Sequence, residues 1–231
     1  MHNILITGSN RGLGLEWVRL YAQHNWHVFA TCRNPNKANE LHRIVEKNQN
    51  ISIHQLDVTN HNETDALAKE LNAYAIDILI NNAGIYLEKN NSSIGSLNYR
   101  SWEDTIRVNT FGPIRVAEAF LQHIATSEKR LIVTISSHMG SIADIKVTGS
   151  YYYRSSKAAL NAAMKCLSIE LKPKNIGVLL LHPGWVQTEL GGKNATLSPK
   201  QSVQGMHGVI QRFSIEKTGE FTRYDGTQMP W

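Results

Sequence analysis

The sequence predicts an α/β fold: a three-layer, doubly wound parallel sheet of about seven strands, in a single domain spanning residues 1–231. Three observations carry that expectation. Apolar runs of strand length alternate with segments of helical period from end to end. The runs are apolar throughout instead of alternating with polar positions, and the first leads directly into a glycine-rich turn.

Ile4 to Thr7 reads as the first strand, and Leu13, Trp17, Leu20 and Tyr21 share one face of the helix after it. His27 to Thr31 is the second strand, Leu41, Ile44 and Val45 mark the second helix, and Ile51 to Leu56 is the third strand. Leu67 and Leu71 belong to a helix before a strand at Ile76 to Ile80. Leu131 to Ile135 and Val178 to Leu181 repeat the pattern, each after a helix of about 15 to 20 residues. Strands without a polar face need helices on both sides, as in a parallel sheet, and right-handed crossovers then wind the chain doubly. No repeat, low-complexity stretch or Pro/Gly-rich linker divides it. Two longer connections, Ile85 to Arg100 and Trp185 to Leu197, follow carboxyl ends of strands, where open α/β sheets hold ligands.

Composition excludes several classes. With 42% hydrophobic and 19% charged residues the chain is neither disordered nor fibrous. Cys32 and Cys166 are far apart and form no paired motif, so neither a disulfide framework nor a zinc site is expected. The ten histidines lack carboxylate or thiol partners at ligand spacing, and no metal is expected. Ile4, Leu5 and Ile6 make too short a run for a leader, and no stretch is long and apolar enough for a membrane helix. The expectation is a cytoplasmic protein with no membrane partner. The formal charge of +5 is scattered, which argues against nucleic acid while leaving room for an anionic ligand.

The first strand runs into Gly8-Ser9-Asn10-Arg11-Gly12-Leu13-Gly14 and then a helix. Backbone can approach a pyrophosphate closely there, and the helix N-terminus offers free N–H donors. The spacing is GxxxGxG, and its place after the first strand gives it meaning. An NAD-binding fold usually carries an acid about 20 residues beyond the glycines, whereas an NADP-binding one has a cation. The position is Arg33, no acid lies between Glu16 and Glu40, and Arg11 sits inside the turn. Two guanidiniums suit a 2′-phosphate, so NADP(H) is the expected cofactor.

Tyr153 and Lys157 stand four apart where a helix begins, on one face of it. Lowering a phenol's pKa from about 10 by about three units takes roughly 4 kcal/mol. One cation at about 4 Å, with an effective dielectric of about 20, supplies roughly that. Tyr153 could then pass a proton to a carbonyl oxygen. Taken alone, such a pair is also common on helix surfaces.

The chain resembles the short-chain dehydrogenase/reductase family over nearly its full length, and with it the Rossmann-type fold. The resemblance rests on Gly8, Gly12 and Gly14, Asp57-Val58-Thr59, Asn81-Asn82-Ala83-Gly84, Asn109, Ser136-Ser137, Tyr153 with Lys157, and Pro183-Gly184-Trp185-Val186-Gln187-Thr188. Residues 153–161 and the Tyr224-Asp225-Gly226 to Pro230-Trp231 tail further resemble the C-factor and sniffer-like carbonyl reductase branch. The resemblance implies a catalytic set of Asn109, Ser137, Tyr153 and Lys157. It implies a cofactor set of Gly8, Ser9, Asn10, Arg11, Gly12, Leu13, Gly14, Arg33, Asp57, Val58, Asn82, Ala83, Gly84, Tyr153, Lys157, Pro183, Gly184, Val186 and Thr188. Ser136 should face away from Ser137 on an extended chain. A small carbonyl substrate and a homodimer or homotetramer also follow from the resemblance.

Asn109 lies on a helix expected to open at Ser101, capped with Asp104. Pro113, four residues on, has no N–H for the Asn109 carbonyl, so a local bend is expected. The family would use that carbonyl to hold a proton-relaying water; a kink needed for packing alone is the other reading. Ser137 and Tyr153 are sixteen positions apart, which enlarges the loop from His138 to Ser150. Ile142, Ile145, Tyr151 and Trp185 are candidates for an apolar pocket there. The expected activity is NADPH-dependent reduction of an aldehyde, ketone or quinone. The alternatives are a non-catalytic cofactor-binding or signalling protein and an NAD-dependent alcohol dehydrogenase.

Overall fold

A computed structural model of the protein describes residues 1–88 and 93–231. The strands are β1 (Asn3–Thr7), β2 (His27–Cys32), β3 (Ile51–Gln55), β4 (Ile78–Asn81), β5 (Leu131–Ile135), β6 (Gly177–His182) and β7 (Phe221–Arg223). They form one sheet in the order β3-β2-β1-β4-β5-β6-β7, every pair parallel. The helices are α1 (Gly12–Gln23), α2 (Asn39–Val45), α3 (His61–Glu70), α4 (Tyr99–Ile106), α5 (Gly112–Ala119), α6 (Leu121–Ala125), α7 (Tyr151–Leu171) and α8 (Pro199–Gln211).

Strand alternation sorts the core into two layers. Ile4, Ile6, Val28 and Val133 point to the side covered by Trp17, Val18 and Tyr21 of α1, Leu41 of α2 and Val203 and Met206 of α8. Leu5, Phe29, Ile132 and Val178 point to the other side, against Leu67 of α3, Val116 of α5 and Leu160 and Met164 of α7. Both faces of the central strands are therefore dry, whereas β3, at the sheet edge, departs from the expected apolar run: Ser52 and His54 alternate with Ile51 and Ile53, and Gln55 is exposed.

From β1 the chain winds outward to β3, then returns to place β4 on the other side of β1. The crevice at that reversal, above the ends of β1 and β4, is where this topology receives a ligand.

Three elements differ from expectation. The seventh strand, β7, has three residues and too short an apolar run to be read in sequence; Phe221 pairs with Leu180 of β6. β4 begins at Ile78, not Ile76, because the Ile76 N–H leaves the sheet to bond the His123 carbonyl. The cap of α4 is Asn98, whose Oδ1 accepts the Ser101 N–H at 3.0 Å, so Ser101 lies inside the helix it was expected to open. The connection from Ile85 to Arg100 includes residues 89–92, outside the described set.

Candidate active site

The glycine turn is held from below by β4. Thr7, the last residue of β1, accepts the N–H groups of Asn82 and Ala83 on its hydroxyl, both at 3.0 Å. In return, the Asn82 amide donates to the carbonyls of Thr7 at 2.8 Å and Gly8 at 3.2 Å. Gly14 has no alternative there: a Cβ would stand 2.1 Å from the Gly8 carbonyl oxygen. Gly8 and Gly12 have φ of +70° and +56°, in the left-handed region. No side chain caps α1, so its first N–H donors face the crevice uncapped, and this arrangement fits a dinucleotide pyrophosphate.

Ser9 departs from the expected cofactor set. It is fully buried, its hydroxyl donating to the Ile6 carbonyl at 2.9 Å and its N–H to that of Thr31 at 2.8 Å. It shapes the turn and offers a ligand neither group. Asn10 and Leu13 are half-buried in the turn, and Leu13 packs on the core.

The segment from Pro183 to Thr188 reaches over the turn from the end of β6. Thr188 Cγ2 lies 3.3 Å from the point a Gly12 Cβ would occupy, and Arg11 pairs with Glu189 at 2.7 Å. Gly184, with φ of +80°, is wedged against Leu197 and Tyr224, while Pro183 accepts from the Ser202 hydroxyl and Val186 is buried. Arg11 is thus engaged across the cleft, whereas Arg33, exposed just beyond β2, has no ion-pair partner among the described residues. At the end of β3, Asp57 Oδ1 accepts from the Thr59 N–H and hydroxyl, and buried Val58 packs where Gly112 begins α5.

The four expected catalytic residues converge from three elements. Tyr153 and Lys157 share a buried face of α7. The Ser137 hydroxyl, just after β5, stands close enough to the Tyr153 phenol to influence its acidity, while Ser136 is turned away to donate to Asn161 Oδ1 at 2.6 Å. Lys157 Nζ donates to the Ile135 carbonyl at 2.9 Å and stands 5.8 Å from the Tyr153 ring centroid. A Cβ at Gly84 would lie 3.8 Å from that Nζ and 3.3 Å from Asn109 Oδ1, which puts all of them around one point.

Asn109 sits in a π turn, Arg107–Phe111, where Gly112 N–H bonds the Arg107 carbonyl. Regular helical bonding is interrupted where Pro113 withholds an N–H. The Asn109 side chain proves as informative as its carbonyl. It accepts the Ile85 N–H at 2.8 Å and donates to the Ile85 carbonyl at 2.9 Å and Ser156 Oγ at 3.0 Å, tying the loop after β4 to α7.

Burial sets the electrostatics. It pushes the Tyr153 phenol up to about 12, against a downward pull from the Ser137 hydrogen bond and with a further push from Tyr86. The expected acidification of the phenol by Lys157 is therefore overridden at rest. Burial also lowers the Lys157 ammonium to about 8.

Two neighbours escaped the sequence reading. Glu88 Oε2 accepts the Tyr153 N–H at 2.9 Å, capping α7 from 65 positions away, where Ser150 (φ 55°) supplies no side-chain cap. Tyr86 packs its ring 4.9 Å from that of Tyr153 and bonds Ser150 Oγ through its hydroxyl at 2.7 Å. No spacing signals either contact. Trp185, expected in an apolar pocket, is half-exposed and donates to the Gly191 carbonyl; the cavity by the enlarged loop has walls of Ile142, Ile145 and Tyr151 without it. His2 approaches Asp77 and Glu128 at 3.2 and 3.8 Å, a grouping sequence does not show. Asp77 meanwhile accepts the backbone N–H groups of Asn3 and Lys129.

A model of the short chain dehydrogenase family matches residues 2–197, and the chain belongs to this family of oxidoreductases. Its structure is similar to the carbonyl reductase Sniffer of D. melanogaster, with TM-score 0.93, 37% identity and full coverage of both chains. It is similar also to an NADPH-bound carbonyl reductase from chicken fatty liver, with TM-score 0.93 and 32% identity, covering 100% of this chain and 99% of that one. C-signal of Myxococcus xanthus is 42% identical over 156 residues, 68% of this chain and 93% of that protein.

Proposed function

We propose that the protein is an NADPH-dependent carbonyl reductase that converts a small aldehyde, ketone or quinone to its alcohol, with Tyr153 as general acid. The observation that carries this reading is the convergence of Ser137, Tyr153 and Lys157 beside Gly84, at the mouth of the dinucleotide crevice. When bound, the reduced nicotinamide supplies a hydride to the carbonyl carbon. Ser137 and Tyr153 hold the carbonyl oxygen, and Tyr153 gives up its proton as negative charge grows there. A phenol pushed up to about 12 is protonated at neutral pH, the form that reduction requires. Lys157 stabilises the phenolate as the proton leaves, and Asn109 holds the Gly84 loop against α7.

Gly8, Asn10, Arg11, Gly12, Leu13 and Gly14 would hold the pyrophosphate region, with Asn82, Ala83 and Gly84 along the cleft floor. Asp57 and Val58 would meet the adenine, and Pro183, Gly184, Val186 and Thr188 the nicotinamide end. Arg33, exposed just past β2 and unpaired among the described residues, supports NADPH over NADH, as does the NADPH bound to the chicken carbonyl reductase.

Tyr153→Phe tests the reading. It should bind NADPH as the native protein does and lose about 100- to 10,000-fold in kcat on aldehydes, ketones and quinones. Turnover that survives the change removes Tyr153 as the acid. The likeness to C-signal favours a second reading, a cofactor-binding signalling protein. NADPH binding by the native chain with no turnover on any carbonyl would select it.

A further inference from the structure

A sizeable cavity lies away from the reacting groups. It encloses about 790 Å³ between the enlarged loop and the outer side of α7, and neither Ser137, Tyr153 nor Lys157 lines it. Tyr151, Arg154, Ser155 and Ala158 do, a spacing of three, four and seven that marks one stripe of the helix. Arg154 follows Tyr153 directly and so points about 100° around the axis from it. Helix α7 thus presents one side to the crevice and another to this cavity. Gly140 keeps the two apart: a Cβ there would lie 2.9 Å from the Lys157 backbone, so the loop is pressed onto the helix between them.

The walls are mostly apolar, with Trp102 and Met139 inside and Ile142, Ile145 and Val147 at the rim. Those three rim side chains are 70%, 48% and 67% exposed, a cluster of large apolar groups that water alone covers poorly. Trp102 is fixed in place, donating through Nε1 to Ser155 Oγ at 2.8 Å.

The polar content of the cavity is unbalanced. Arg154 Nε is buried with no acceptor, and its guanidinium has no ion-pair partner among the described residues. Lys146 adds a second cation, and no acid among the described residues lines the space. A buried donor without a partner costs free energy, and an anion entering the cavity relieves that cost. A neutral apolar ligand would leave it in place.

We propose that this cavity is a second ligand site, taking an amphipathic anion: a carboxylate that pairs with Arg154 and carries a medium-length apolar tail. The tail lies along Trp102, Met139 and Ile142, and Lys146 closes over the head. The occupant is distinct from the carbonyl substrate, because the groups that would react lie on the other side of α7.

Calorimetric titration of the NADPH-loaded protein with decanoate tests this. One decanoate per chain is expected, with affinity reduced about tenfold or more by Arg154→Gln and by replacing the probe with decan-1-ol. Ala158→Phe, which fills the cavity, should abolish binding, and Tyr153→Phe should leave it unchanged. Absence of binding overturns the proposal, as does equal affinity in the native and Arg154→Gln proteins. Loss of binding in Tyr153→Phe alone would assign the probe to the reaction cleft and also overturn it. If decanoate does not bind and Ile142→Glu turns a dimer into monomers, the apolar rim belongs to a second copy of the chain and the proposal falls.

Discussion

Replacing Lys157 with Met removes a cation from beside the Tyr153 ring, and the structure sets the size of the effect. Nζ lies 5.8 Å from the ring centroid. With an effective dielectric of about 20, a unit charge pair at that distance is worth about 3 kcal/mol, or roughly a hundredfold in rate. That energy acts only once the phenol has released its proton, so it should appear in kcat and not in substrate binding. Initial rates of NADPH oxidation with a quinone, at saturating cofactor, should fall about a hundredfold in Lys157→Met. The pH profile supplies a second signature. Burial lowers the ammonium to about 8. Between pH 7 and pH 9 its protonated share therefore drops from about nine-tenths to about one-tenth, and native kcat should fall by close to the same factor of about nine. The phenol, at about 12, stays protonated across that range, so the loss reports Lys157. Lys157→Met should show no such fall. A folded Lys157→Met protein within threefold of native kcat, or a flat native profile from pH 7 to pH 9, would refute the assigned role.

Arg33→Asp should lower the NADPH-to-NADH ratio of kcat/KM by about 10- to 100-fold, the worth of a charge-assisted phosphate contact; an unchanged ratio places the phosphate elsewhere. Gly14→Ala puts a Cβ 2.1 Å from the Gly8 carbonyl and 2.7 Å from the Asn82 amide. It should abolish measurable NADPH binding, seen as lost quenching of protein fluorescence, while circular dichroism still reports a folded sheet. His182, buried at the end of β6, has its pKa lowered to about 3 by burial and neighbouring cations. The unfolded chain therefore binds the extra proton first, and stability present above pH 6.5 is lost as pH falls toward 3. From pH 7 to pH 5 this group alone should cost about 2 kcal/mol in urea unfolding, and His182→Gln should flatten that slope; an equal slope in both proteins would rule it out.

Local chemistry made much of this legible. The apolar strands follow from a sheet buried on both faces, and the glycine turn from backbone that must fold over another carbonyl. Tyr153 and Lys157 share a face because four residues make about one helical turn. Pro113 announced the interrupted helix because a missing N–H is a property of one residue. Where the sequence reading failed, the cause was long-range. Ser9 sits in a ligand turn by position, yet β2 takes up its N–H through Thr31. Asn98 displaced Ser101 as a cap because the chain enters the helix three residues earlier than its pattern suggests. Glu88 and Tyr86 reach Tyr153 across more than sixty positions. Above all, spacing could place a cation near the phenol but could not weigh it against burial, since desolvation depends on everything packed around both groups. Residue type and period determined which side chains meet and on which face; only the folded surroundings decided that Tyr153 rests as a protonated acid, because the dielectric about it is a property of the whole molecule.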